Sequence, residues 1–377
     1  MTVTKIGIIT YHAAYNFGSV LQAYALQEKI GQLGYDCKII NYRMDEQKRY
    51  YSNFRYKFGK KRLLEDVTFL PIIKKKLKRA SIFEDFFDSF FVKTEQFSNP
   101  DDFVKISSEF DVCISGSDQI WNKHSCELNW NEWRFMKPYL LSEFTGMKIS
   151  YGSSIGNMDT SEISMLIDDL KSFTAVSMRE PSSSKVMSSL LNKNIPWVVD
   201  PTFLLCKDEW IKKLQLCKCQ EKPYVLYYSL AGYKENLRRI RKLDKYAKHN
   251  NFQLKVITPY VYIPTTSHRI SHHIECGPVE FMNLIYNAKI IITDSYHGTI
   301  LSVNLEKNFY SICGQNASDF RKTDILEKIG LRDRVIKNIN EISREHQDEI
   351  DYKVISSQLD IFRKNSVDYI SGYLDCV

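Results

Sequence analysis

No run in the sequence approaches the roughly 18 uninterrupted apolar residues that a membrane helix requires. Lys5 to Thr10 begins at once as a strand pattern with no apolar signal region before it, so a soluble, cytoplasmic protein is the expectation. Cysteine offers little framework. The nine cysteines are odd in number and scattered, and Cys37, Cys113 and Cys313 stand inside apolar, strand-like runs. Cys217 and Cys219 form the one close pair; without a matching second pair they exclude a zinc ribbon, and reduced, mostly buried thiols are expected. His272 and His273 lie beside Cys276 but lack a second acidic or thiol ligand at helical spacing, so no metal is expected. A nucleotide fingerprint is missing too: Asn16, Gly18 and Ser19 suggest a phosphate-cradling turn but lack its full spacing. Neither an internal repeat nor a low-complexity tract is present.

At 377 residues the chain exceeds the roughly 100–200 of one domain, so two domains of similar size are expected. A hydrophobic content of 44%, with 13% aromatics, suffices for substantial cores. The net charge of +7 is unevenly spread: Lys48 to Arg79 holds twelve Lys or Arg against two acids, Glu65 and Asp66, a local +10 that leaves −3 elsewhere. The aromatics among these cations, from Arg49 to Arg62, suit an anionic interface such as acidic lipid headgroups or a lipid diphosphate. Nucleic acid would attract such a stretch too, and a solvated helical face within an insertion is the plainer explanation.

Strands and helices alternate along the chain. Lys5 to Thr10 reads as a strand, Tyr11 to Ser19 as a loop and Val20 to Leu33 as a helix stopped by Gly34; the strand Cys37 to Asn41 follows at the distance of a βαβ crossover. Ser81 to Phe91 reads as an amphipathic helix whose aromatics belong to the core. Phe110 to Ile114 is a buried strand, and the small residues of its exit let the backbone turn sharply and present Asp118 and Gln119. An acid there either carries protons or caps the next helix. Lys148 to Ser154 is a further strand. Phe173 to Glu180 is the next, ending on Arg179, whose planar fork suits a carboxylate or phosphate, or else pairs with Glu180 or Asp200. Trp197 to Thr202 closes the first domain, and Lys207 to Pro223 reads as a linker. The second domain supplies the strand Tyr224 to Ser229, the basic helix Asn236 to His249, the strand Leu254 to Thr258, the helix Val279 to Asn287, the strand Asn308 to Ile312 and the helix Thr323 to Ile329; Tyr352 to Leu374 is a final amphipathic helix.

One stretch organises the rest. Ile290 to Ile292 is a β-branched run suited to the middle of a parallel sheet, and Ser295 to Thr299 supplies turn and cap residues before a helix. His297 thereby reaches the carboxyl edge of a sheet, where open α/β folds place ligands and a helix amino terminus offers N–H groups to anions. A histidine in that position either exchanges protons near neutral pH or only closes the turn. Two β/α domains with polar strand exits imply a cleft between them.

Five blocks in order, Tyr15 to Gln22, Ser115 to Asn122, Ser177 to Glu180, Val199 to Thr202 and Thr293 to Thr299, resemble the polysaccharide pyruvyltransferase family. The likeness spans roughly residues 5 to 335, with the basic insertion its least familiar part. It implies an α/β fold of two Rossmann-like domains facing across a cleft, GT-B-like, at 1–206, with the basic insertion at about 45–100, and at 221–345; a helix at 350–377 packs back on the first domain. It implies transfer of the pyruvyl group of phosphoenolpyruvate onto two hydroxyls of one sugar, a galactose-type residue in 4,6-ketal linkage, for surface polysaccharide, with no cofactor or metal. By position His297 and Asp118 resemble the family's catalytic histidine and acid. Arg179, Ser295, Gly298, Thr299, Arg321 and Lys322 form the expected donor-binding set, and Asn16, Gly18, Ser19, Gln119 and Trp121 the acceptor-binding set. Where the family carries arginine two residues before the histidine, Ser295 stands here, so Arg179, Arg321 or Lys322 must supply its charge. The implied partners are phosphoenolpyruvate and a saccharide acceptor; the basic aromatic stretch would suit an acceptor carried on polyprenyl diphosphate at the inner face of the cell membrane, with peripheral contact to anionic lipid, and no nucleic acid is expected. A GT-B glycosyltransferase using a nucleotide sugar, or a non-catalytic glycan-binding protein of the same pathway, are the alternatives.

Overall fold

The computed structural model describes residues 4–52, 59–125, 133–314, 317–342 and 349–376. The chain forms two compact units: Met1–Tyr51 with Phe87–Leu205 and Leu359–Val377, and Ser52–Phe86 with Cys206–Gln358. Residues 53–58 of the basic aromatic run lie outside the described residues.

The first unit holds a parallel sheet of β1 (Lys5–Ile9), β2 (Asp36–Ile39), β3 (Val112–Ser115) and β4 (Met147–Ser150) in the order β2-β1-β3-β4. The two central strands, β1 and β3, are nearly continuous buried runs, as expected of a sheet covered on both faces, while the edge strands β2 and β4 carry Lys38 and Lys148. Helix Phe17–Gln32 follows β1; Asn16 caps it, its Oδ1 accepting from Gly18 N at 3.0 Å. Two expected strands are absent as such. The segments around Ala175, Met178 and Trp197 join the sheet edge only through single bridges. The C-terminal part of helix Tyr352–Leu374 supplies partners there instead, since Ser366 Oγ accepts from Val199 N at 2.9 Å and Tyr369 Oη donates to Ser150 O at 2.8 Å. Polar backbone groups that a ladder would have used are thereby satisfied.

The second unit is a six-stranded parallel sheet of β5 (Tyr224–Tyr228), β6 (Gln253–Ile257), β7 (Ile270–His272), β8 (Ile290–Thr293), β9 (Phe309–Ile312) and β10 (Val335–Ile336), ordered β10-β9-β8-β5-β6-β7. Two boundaries differ from the sequence reading. Lys207–Leu214 is a helix of this unit, not a linker, with Trp210 and Leu214 buried and Glu209 accepting from Cys206 N. The basic insertion, read as part of the first domain, is split: residues 52–86 belong to the second unit. Thr68 Oγ1 accepts from Tyr262 N at 2.9 Å, and helix Ile73–Phe90 lies so close to Gly277 that a Cβ there would meet Ile82 Cγ2 at 2.2 Å. Downstream, Phe83, Phe86, Phe87 and Phe91 are buried, the packing role expected of them.

Candidate active site

Strand order fixes where each sheet opens. In the first unit the chain passes from β1 to β2 on one side and returns to add β3 on the other; in the second it passes from β5 to β6 and β7 on one side and returns to add β8 on the other. Loops diverge at such switch points, leaving a crevice at the carboxyl ends of the strands. The residues after β3 hold Asp118, and those after β8 hold His297.

Asp118 has φ 75°, a left-handed conformation that a non-glycine residue adopts at a cost of roughly 1–3 kcal/mol. Surrounding bonds hold it there. Ser19 Oγ donates to Asp118 Oδ2 at 2.6 Å, Gln119 N donates to Oδ1 at 2.8 Å, and Ser154 N donates to the Asp118 carbonyl at 3.0 Å. Thr10, at the end of β1, donates from Oγ1 to Ser117 O at 2.8 Å and accepts from Gln22 Nε2 at 2.9 Å, tying the two loops together. His12 lies fully buried in the same loop, with Nε2 3.0 Å from Asn41 Oδ1. Burial lowers its pKa to about 4, against smaller opposing contributions from the contacts with Asn41 and Thr10, so the ring is neutral at pH 7.

Arg179 is not presented to a ligand. Its side chain is 1% exposed, with Nη1 2.9 Å from Asp200 Oδ2, Nε 3.4 Å from Glu180 Oε1 and Nη2 3.7 Å from Asp118 Oδ1. Three carboxylates surround one guanidinium, so the expected donor-binding arginine is instead an internal counter-ion that steadies the loop bearing Asp118. The pairings with Asp200 and Glu180 are the alternative that the sequence had left open.

On the second unit, Ser295 caps helix Tyr296–Asn304: its Oγ accepts from Gly298 N at 3.3 Å, and its own N–H donates to Thr293 Oγ1 at 3.0 Å. His297 sits in the first turn, 9% exposed, its ring edge-on to Tyr296 with centroids 5.1 Å apart. Arg321 lies over the Tyr296 ring at 5.5 Å. Gly298 is required by packing, because a Cβ there would lie 2.5 Å from Thr293 Oγ1 and 2.8 Å from Tyr228 Cδ1. Asp294 clamps the neighbouring loop, accepting from Ser229 Oγ at 2.6 Å, Leu230 N at 2.8 Å and Arg239 Nη1 at 2.5 Å. Asp294 belongs to the stretch that the sequence singles out, and its role as a clamp shows only in these contacts.

Several expected ligand contacts are corrected by burial. Trp121 is 0% exposed, its Nε1 donating to Tyr139 O at 3.0 Å, so it belongs to the core. Thr299 is sealed and bonded to Ser295 O and Ser311. Lys322 is buried with Nζ 2.8 Å from Asp294 O, Ile312 O and Asp319 Oδ1, which uses all three of its protons. It bolts helix Ala317–Lys328 to the ends of β8 and β9. Ser19 and Gly18 are committed to Asp118 and to the cap by Asn16, and Ser295 to its own cap. Asn16 and Gln119, both half-buried, stay at the first edge, with Asn16 Oδ1 accepting from Gly18 N at 3.0 Å and Gln119 Oε1 from Asn122 Nδ2 at 2.6 Å.

Among solved structures, UDP-bound MnaA of S. aureus and the UDP-N-acetylglucosamine 2-epimerase of Rickettsia bellii each match with TM-score 0.51 at 10% identity, covering 100% of this chain and 98% of theirs. Arabidopsis thaliana UGT89C1, complexed with UDP-L-rhamnose, matches with TM-score 0.50 at 10% identity, covering 99% of each chain. At such identity the likeness shows the fold alone, a GT-B-like α/β fold. No curated protein matches the sequence. The sequence profile described as polysaccharide pyruvyl transferase matches residues 16–312, a span that includes Asp118, Arg179 and His297. Because that span covers well over half of the chain, this protein belongs to the polysaccharide pyruvyl transferase family.

Proposed function

We propose that the protein transfers the pyruvyl group of phosphoenolpyruvate onto two hydroxyls of one sugar, a galactose-type residue bridged through O4 and O6, in surface polysaccharide synthesis. His297 carries the reading: a titratable ring in the first turn of a helix at the carboxyl end of β8, inside the span that matches the family. Membership supports polysaccharide pyruvylation in general; phosphoenolpyruvate as donor and a galactose-type acceptor are what the resemblance to the family implies.

In the proposed reaction the donor's C2–C3 π bond takes a proton at C3 while the first sugar hydroxyl adds at C2. The second hydroxyl displaces phosphate from C2 and closes the ketal. One hydroxyl proton ends on the new methyl group and the other leaves with phosphate, so the atoms balance without a further reactant. His297 is assigned delivery of the proton to C3, and Asp118 removal of the hydroxyl proton. Arg321 and the first turn of helix Tyr296–Asn304 are assigned the departing phosphate. Arg179 is left out, because its charge is already met by carboxylates. The acceptor is taken to be carried on polyprenyl diphosphate at the inner membrane face, with Asn16 and Gln119 as its polar contacts.

Purified protein given phosphoenolpyruvate and a galactose-containing acceptor should release phosphate and add the mass of a pyruvate ketal. His297→Ala should lower turnover by roughly 10² or more with an unchanged melting temperature. Undiminished turnover in that variant sinks the assignment, and calorimetric binding of UDP without binding of phosphoenolpyruvate would replace the donor with a nucleotide sugar.

A further inference from the structure

Helix Lys60–Val67 of the second unit is turned inside out. Lys60, Leu63, Leu64 and Val67 recur at the spacing of one helix face, yet that face is exposed, Leu64 at 69%. The carboxylates Glu65 and Asp66 are buried instead, 3.1 Å from Arg62 and 3.2 Å from Lys76. Apolar exposure continues through Leu70 and Leu77, each 50% exposed, the latter on helix Ile73–Phe90. Five of the fourteen large apolar side chains exposed among the described residues thus fall within 63–77. Every exposed charged residue from 59 to 78 is a lysine: Lys60, Lys61, Lys74, Lys75 and Lys78, the last 3.9 Å from Glu275.

A solvated face mixes charges of both signs and keeps its leucines inside. Here the arrangement is reversed, at the cost of leaving leucine in water. An anionic lipid surface answers both features, since leucines enter the acyl boundary while ammonium groups rest among phosphates. No described helix is long and apolar enough to cross a membrane, so such a face would hold the protein at the interface. We propose that this segment, with its exposed leucines and lysines, docks the second unit on an anionic membrane surface. The docking stands apart from the transfer reaction, because vesicle binding is read without substrate.

Full-length protein should co-sediment with phosphatidylcholine vesicles that contain phosphatidylglycerol and not with phosphatidylcholine alone, and salt should weaken the binding. Each lysine at such a surface contributes about fivefold, so Lys60→Gln, Lys61→Gln and Lys74→Gln together should weaken it about 100-fold. Leu64→Ser, Leu70→Ser and Leu77→Ser together should lower it by about tenfold or more. All six side chains are exposed, and matching melting curves would show the variants folded. Absence of binding, equal binding to neutral vesicles, or variants that bind like the parent would overturn the proposal. So would a lipid-free dimer that the leucine substitutions dissociate, because the face would then join two copies of the chain.

Discussion

Replacing Arg179 by methionine separates an internal counter-ion from a donor-binding residue. The guanidinium is 1% exposed and its nearest partner, Asp200, is 0% exposed at 2.9 Å. Methionine fills similar volume but leaves Asp200, Glu180 and Asp118 facing one another without a cation. Breaking a buried pair in this way costs about 3–5 kcal/mol. For a unit of this size each kcal/mol moves the melting temperature by roughly 2–4 °C, so thermal unfolding by circular dichroism should show a fall of about 6–20 °C. Adding Asp200→Asn to the variant should restore part of the loss, because one of the stranded charges is gone. A donor-binding arginine predicts the opposite pattern: a raised KM for the donor with the melting curve in place. Should Arg179→Met melt within about 2 °C of the parent while phosphoenolpyruvate binding collapses, the counter-ion account is wrong.

Other substitutions probe the frame around both edges. Gly298→Ala places a methyl group against Thr293 Oγ1 and Tyr228 Cδ1, so overpacking of about 1–3 kcal/mol should outweigh alanine's better helix propensity of about 1 kcal/mol; a variant as stable as the parent in urea would show that the site can yield. His12, lowered from 6.5 to about 4 by burial, is protonated in the unfolded chain before the folded one as pH falls. Its contribution is therefore complete above about 6.5 and is lost progressively toward 4, by about 3 kcal/mol. His12→Gln should flatten denaturant-derived stability across that window, and an unaltered slope would count against the buried neutral ring.

Both candidate positions were legible because the pattern that marks them is local. A β-branched or apolar run followed by small and polar residues announces a strand exit, and Asp118 and His297 lie at such exits. Whether a polar side chain at an exit meets a ligand or binds two loops together is not local. Lys322 and Arg321 are adjacent in the chain, yet one is consumed by three internal acceptors and the other lies over Tyr296. Helix Lys207–Leu214 passed for a linker because its apolar contacts are few, Trp210 and Leu214, and its cap is a cysteine.

By itself the sequence determined most of the alternation of strands and helices, the parallel α/β class and the two exits, since these follow from periodicity, propensity and chain reversal within a few turns. Only the tertiary structure decided which unit residues 52–86 join, which strand-like segments lose their ladder to a helix from the C-terminus, and which charges are spent inside. The reason is physical. A charged side chain has the same residue type whether it is solvated or buried, and its energy depends on partners such as Asp200 that distant parts of the chain bring within 3 Å.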